Sequence, residues 1–177
     1  EHGIEAVPFA HEKMDEWRNN FKGIRHIDEA AGYNFGGAVD DIWQKPSGEL
    51  IVVDVKSTSK NVFDWEDTYS KWEYAKGYRR QLEMYQWLLQ KNGFTVASEG
   101  YLVYYNGKKH EPMFNQQLTF DLHLVRLECD NTWVEQAVLE AKATLDGDMP
   151  KPASSCENCN YLRKRWEVSQ RDPNKLN

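Results

Sequence analysis

The hydrophobic and polar positions along the chain predict alternating helical and extended segments. Residues 8–22 place Phe9, Met14, Trp17 and Phe21 at roughly helical spacing, and Gly23 follows where a left-handed residue closes a helix. Arg25–Asp28, Phe35–Gln44 and Leu50–Thr58 read as strands, the last through its Ile51-Val52-Val53 run. Residues 59–75 are polar and aromatic without a clean period. Residues 76–92 form the clearest helical pattern, with Gly93 as its stop. Tyr101–Tyr105 and Leu118–Leu127 read as strands. Asn131–Leu145 reads as a helix, with Trp133, Val134, Ala137, Val138 and Ala141 on one side. The order helix, three strands, helix, two strands, helix predicts a mixed α/β or α+β fold with a central sheet. At 177 residues the chain is expected to form a single domain.

Composition narrows the classes. Apolar residues make up 40% and charged residues 28%, a globular balance. No stretch approaches the roughly 18–20 apolar residues of a membrane helix, so no membrane span is expected. Three cysteines, Cys129, Cys156 and Cys159, do not suit a secreted disulfide scaffold, so a reducing, intracellular setting is expected. The sequence begins at Glu1 rather than Met, which reads as a trimmed chain. The net charge of −6 argues against a general nucleic-acid binder, whose surface is usually basic. That charge is uneven: from Lys151 onward six Lys/Arg face three Asp/Glu, a net +3 that leaves −9 on residues 1–150.

The stretch 37–56 carries the candidate chemistry. Pro46-Ser47-Gly48 fits a three-residue hairpin loop with Gly in the left-handed position. Lys45 and Glu49 then close the hairpin as an opposite-charge pair. Counting outward, Trp43 faces Ile51 and Asp40 faces Asp54, with Cβ atoms about 4.5–5.5 Å apart. Side chains alternate, so Lys56 joins Asp40 and Asp54 on one face, across from the small Ala38. Val39, Trp43, Ile51, Val53 and Val55 are expected to form the core face. A one-residue slip would put Asp41 in place of Asp40. Two adjacent carboxylates repel unless a cation lies between them. A hard cation such as Mg²⁺ removes that conflict and keeps waters for a nucleophile. A neighbouring Lys can then orient water or stabilise developing negative charge. An Asp-x-Lys on a strand is more often a solvated edge pair; the opposed Asp40 and the following helix shift the balance.

At these residues the chain resembles the PD-(D/E)XK nuclease superfamily, and within it the RecB-type branch that includes CRISPR-associated RecB-like exonucleases. Gly37-Ala38-Val39-Asp40 looks like the branch's G-x-x-D motif, Asp54-Val55-Lys56 its D-x-K, and Gln81 to Tyr85 its Q-x-x-x-Y. The resemblance covers roughly residues 8–127 and implies a restriction-endonuclease-like αβββαβ core. It implies a divalent-metal-dependent DNA nuclease, most simply an exonuclease. Asp40, Asp54 and the Val55 carbonyl would hold Mg²⁺ or Mn²⁺, Lys56 would position the attacking water, and Gln81 and Tyr85 would support the site. The branch also takes a ligand from its first helix, for which Glu12 is chosen, with His11 and Glu16 behind it. Two rivals stand beside this reading: a silent nucleic-acid-binding module, and a subunit of a repair or recombination complex. A protein partner or a second copy would then complete the DNA channel.

Some members of the branch hold an iron–sulfur cluster with one early and three late cysteines. Three cysteines cannot supply four thiolates, so no such cluster is expected here, and Cys156-Glu157-Asn158-Cys159 reads as a pair of packed thiols. Trp65, Tyr69, Trp72 and Tyr74 between the D-x-K strand and the Gln81 helix read first as core packing, and second as a substrate-facing flap. Arg163, Lys164 and Arg165 read first as a solvated helix end, and second as a basic cluster that tracks phosphate.

Overall fold

The structure is a computed structural model that describes residues 3–110, 113 and 116–171, the Arg171 side chain excepted. Two compact units are present, Glu1–Leu139 and Glu140–Asn177. The first holds a five-stranded sheet in the order β1 (Val7–Pro8), β4 (Asp41–Gln44), β5 (Leu50–Thr58), β6 (Val96–Gly107), β7 (Phe120–Glu128). Only β5 and β6 are parallel; the other neighbours are antiparallel. A parallel pair needs a crossover, and α2 (Trp65–Lys71) and α3 (Glu73–Lys91) provide it. A separate hairpin joins β2 (Ile24–Asp28) to β3 (Tyr33–Gly37). The result is the mixed α/β, restriction-endonuclease-like arrangement expected from the element order. No helix among the described residues is long and apolar enough to cross a membrane.

The expected first helix over 8–22 contracts to α1 (Met14–Trp17). The residues before it are held differently: Val7 and Pro8 pair with β4, and the Phe9 N–H bonds the Ile42 carbonyl at 2.9 Å. Phe21, one of the four apolar markers, is 91% exposed. The expected strand 35–44 is two strands, because the chain leaves β3 at Gly37 and turns before β4. Gly23 sits at φ +66°, and a Cβ there would lie 2.6 Å from the Gly37 backbone. That close approach ties the end of the first turn to the end of β3.

The core-face expectation is corrected. β5 is central, so both of its faces are covered, as its continuous Leu50-to-Val53 apolar run suits. Ile51 and Val53 pack with Trp43 and Tyr101 in the smaller cluster. The larger cluster lies on the side of Asp54, where Leu50 and Val52 meet Ile42, Leu82, Leu88 and Leu102. Val39 belongs to this larger cluster because it precedes β4 and escapes its alternation. Val55, expected in the core, is 43% exposed.

Buried polar groups fasten the helices to the sheet. Gln86 Nε2 donates to the Ala97 and Glu99 carbonyls, joining α3 to β6. Glu83 accepts from Asp130 N–H and Trp133 Nε1, fixing the chain after β7. Satisfied in this way, a buried amide and a buried carboxylate cost little. The helix α4 (Val134–Asp146) spans the boundary of the two units, and α5 (Glu157–Arg171) lies in the second.

Candidate active site

The β4–β5 hairpin has the expected register: Asp41, Ile42, Trp43 and Gln44 pair with Val53, Val52, Ile51 and Leu50. Gly48 takes φ +89°, and Lys45 N–H bonds the Glu49 carbonyl. The charge partner of Lys45 differs from expectation. Its ammonium pairs with Glu99 on β6 at 2.5 Å, while Glu49 accepts from Ser47.

That register explains what happens at Val55. Antiparallel ladders alternate, so Ile51, Val53 and Val55 turn their backbone groups toward β4. β4 begins only at Asp41, so Val55 has no strand partner there. Asp40 Oδ2 accepts its N–H instead, at 2.7 Å. The same alternation turns the Val55 carbonyl to this edge. Asp40 thus sits at the rim, exposed, with one carboxylate oxygen anchored to β5.

Arg18 holds the rim in place. Its Nε donates to the Asp40 carbonyl at 3.2 Å, and its Nη2 meets Asp41 Oδ1 at 2.5 Å. Trp43 Nε1 also donates to Asp41. Asp41 is therefore a clamp, and the residue facing the site is Asp40. The Val39 N–H bonds the Trp17 carbonyl at 3.1 Å, so α1 fixes the approach to Asp40.

Asp54 is 2% exposed and pairs with the Lys56 ammonium. Among the described residues its Oδ2 has no hydrogen-bond donor besides that ion pair. Burial pushes the Asp54 carboxyl above its ordinary range; Lys56 pulls it down, and the Asp40 carboxylate beside it pushes it up again. Lys56 Nζ also donates to Gln81 Oε1 at 3.2 Å and lies 4.6 Å from the Tyr78 ring centre. Gln81 Nε2 donates to Tyr85 Oη at 2.9 Å, as the four-residue spacing on α3 allows. Burial raises the Tyr85 hydroxyl, with Asp54 and Asp40 adding to the effect. A Cβ on Gly37 would lie 2.6 Å from Tyr85 Cε1, so glycine there is what lets the ring reach this position.

One connected set therefore joins Asp40, Asp54, Lys56, Gln81 and Tyr85. Its donor atoms are hard oxygens around a buried carboxylate short of partners, which suits a divalent cation of the Mg²⁺ or Mn²⁺ kind. Glu12 lies in the exposed turn before α1, outside the helix expected to carry it. No described hydrogen bond or ion pair joins Glu12, His11 or Glu16 to the two carboxylates. His11 instead stacks on Trp17 at 4.6 Å. No group of three or more His, Cys, Asp or Glu converges among the described residues, so a cation here would rest on two carboxylates plus backbone and water.

Comparison with known families matches the model of the PD-(D/E)XK nuclease superfamily over residues 2–163. The chain belongs to the PD-(D/E)XK nuclease superfamily. Membership implies metal-dependent nuclease chemistry, and such nucleases generally use Mg²⁺ or Mn²⁺. No curated protein and no solved structure gives a significant match. The match spans Asp40, Asp54 and Lys56.

The sequence did not single out Arg18, because its partners lie 22 and 23 residues away and nothing local marks them. Glu83 likewise reads as one more polar residue inside the motif. The cysteines stay apart from this chemistry. Burial pushes the Cys129 thiol up to about 12, which keeps it a neutral, packed group. Cys156 Sγ accepts the Cys159 N–H at 3.4 Å at the start of α5, and interactions with Cys159 lower its pKa.

Proposed function

We propose that this superfamily member is a divalent-metal-dependent deoxyribonuclease of the RecB type, acting as an exonuclease on DNA. The observation that carries the reading is the unbroken connection Asp40–Asp54–Lys56–Gln81–Tyr85, with a buried Asp54 held between a cation and a second carboxylate. Binding alone needs no such set. Asp40, Asp54 and the Val55 carbonyl would hold Mg²⁺ or Mn²⁺. When bound, the cation supplies charge stabilisation at the scissile phosphate and an activated water. Lys56 is aimed by Gln81 and Asp54, and its ammonium can hold the attacking water or balance charge that develops on the phosphate. Gln81 is aimed in turn by Tyr85, and the fit of the Tyr85 ring on Gly37 locks that orientation.

The test compares linear and circular DNA, single- and double-stranded, incubated with Mn²⁺, Mg²⁺ or EDTA. Degradation of linear DNA in either metal, absent in EDTA and lost in Asp54→Ala and Lys56→Ala, is the expected result. Cleavage of circles would replace exonuclease with endonuclease. Binding without cleavage in every metal would replace the enzyme with a silent module.

A further inference from the structure

The start of α3 carries two rings that the core does not use, beside a third, Tyr78, that packs against it. Trp72, at the N-cap, is 53% exposed, and Tyr74 is 46% exposed. Their ring centroids are 6.1 Å apart, and Tyr74 stands 5.7 Å from Tyr78. Tyr78 in turn lies under the Lys56 ammonium. An aromatic surface therefore runs without a break from solvent to the lysine of the candidate site. Trp65 and Tyr78 pack against the large core cluster and Tyr69 packs on Trp65, so the exposure belongs to Trp72 and Tyr74.

Gly77 stands in the middle of that path. Glycine is among the poorest helix formers, and it is usually kept inside a helix for a reason. Among the described residues nothing supplies one: a Cβ at Gly77 would meet no atom within 4 Å. Gly37 and Gly23, in contrast, are each pressed by a neighbour. Gly77, Gln81 and Tyr85 are spaced by four and share one stripe of α3. The open space over Gly77 is thus the continuation of the stripe that holds Lys56, and it suits the close passage of a ligand backbone.

The charge agrees. Residues 71–80 hold Lys71, Lys76, Arg79 and Arg80 against Glu73, a net +3 in a chain of net −6. Asp67, just before this stretch, pairs with Lys71 at 2.5 Å, and Glu73 reaches Lys76 and Arg80 but can neutralise only one charge, so a surplus of two cations remains. Aromatic faces beside surplus cations suit a strand whose bases are unpaired, because a duplex keeps its base faces stacked on each other.

We propose that Trp72, Tyr74 and Tyr78 form a stacking platform for unpaired nucleobases, which leads a single-stranded DNA end over Gly77 to the phosphate position beside Lys56. The strand's destination rests on the nuclease reading; the stacking does not. The test measures fluorescence anisotropy with a labelled oligothymidylate and a blunt duplex of equal length, in EDTA. Trp72→Ala/Tyr74→Ala is expected to weaken oligothymidylate binding by roughly 5- to 150-fold, as loss of base stacking does, and to leave duplex binding within about twofold. Trp72→Phe/Tyr74→Phe keeps the ring faces and should restore binding. Gly77→Leu should raise helix stability yet weaken oligothymidylate binding, an outcome that a purely structural glycine does not produce. Unchanged binding in the double Ala variant, or equal weakening for both DNAs, would overturn the platform. Cleavage in Mn²⁺, assayed beside it, separates the two readings. Cleavage by the parent with unchanged oligothymidylate binding in the double Ala variant removes the platform alone. Absence of cleavage with a ring-dependent affinity for oligothymidylate removes the nuclease alone.

Discussion

Lys56 balances Asp54 in the folded chain, and the proposed nuclease reading asks the same ammonium to serve chemistry. Burial and Asp40 both raise the Asp54 pKa, and Lys56 is the group that lowers it. Removing the cation leaves two neighbouring carboxylates, one of them buried. Lys56→Met should therefore destabilise the metal-free protein at pH 8 by about 3 kcal/mol, the low end for breaking a buried ion pair. The direction with pH follows from the raised folded-state pKa. Below the unfolded value of about 3.9, Asp54 is neutral in both states and no penalty exists. As pH rises through the folded value the penalty grows, and it grows further without Lys56. Urea unfolding in EDTA should show the deficit at pH 8 and a smaller one at pH 5. Equal deficits at the two pH values would mean that lost packing, not charge, is responsible.

At the scale of elements, the site depends on the meeting of β3, β5 and α3, and Gly37 is where that meeting is tightest. Gly37→Ala puts a Cβ 2.6 Å from Tyr85 Cε1. The ring is part of a dense core and must shift, at a cost of about 1–3 kcal/mol. The shift also breaks the Gln81–Tyr85 hydrogen bond, so nuclease activity should fall about a hundredfold, the scale of a 1 Å misplacement. Adding Tyr85→Leu should return the thermal stability without returning the activity; recovery of both would show that Tyr85 only fills space. These elements differ in how readable they are from sequence. The hairpin register follows from a turn of fixed chemistry and from cross-strand pairing, and the Gln81–Tyr85 contact from helical spacing, because both are local rules. The first helix is not readable: Phe9 has the right spacing, but its backbone is claimed by Ile42, thirty-odd residues on. Arg18 is invisible for the same reason. α2 obeys local rules too, since Asp64 accepts the Asp67 N–H as an N-cap and the acidic first turn signals a helix start. Which face of β5 meets the larger core also escapes alternation, because a central strand is buried on both sides.

For the whole molecule, the −6 net charge and the nuclease chemistry are compatible only if the positive potential is confined. The first 150 residues carry −9, and within them residues 71–80 carry +3. A strand held at this segment would touch few cations, and an acidic surround would repel it elsewhere. The number of counterions released on binding should then be small. For single strands the slope of log affinity against log salt is about −0.7 per phosphate neutralised, so the two cations left once Asp67 matches Lys71 and Glu73 one other give about −1.4. Titration of oligothymidylate binding across salt concentrations, in EDTA, should return that shallow slope. Arg80→Gln should flatten it by about 0.7, and Lys164→Gln, on α5 far along the chain, should leave it unchanged. A slope several times steeper, or one that responds to Lys164 as much as to Arg80, would place the phosphate track on a different surface. The charge balance of the chain would then say little about where DNA lies.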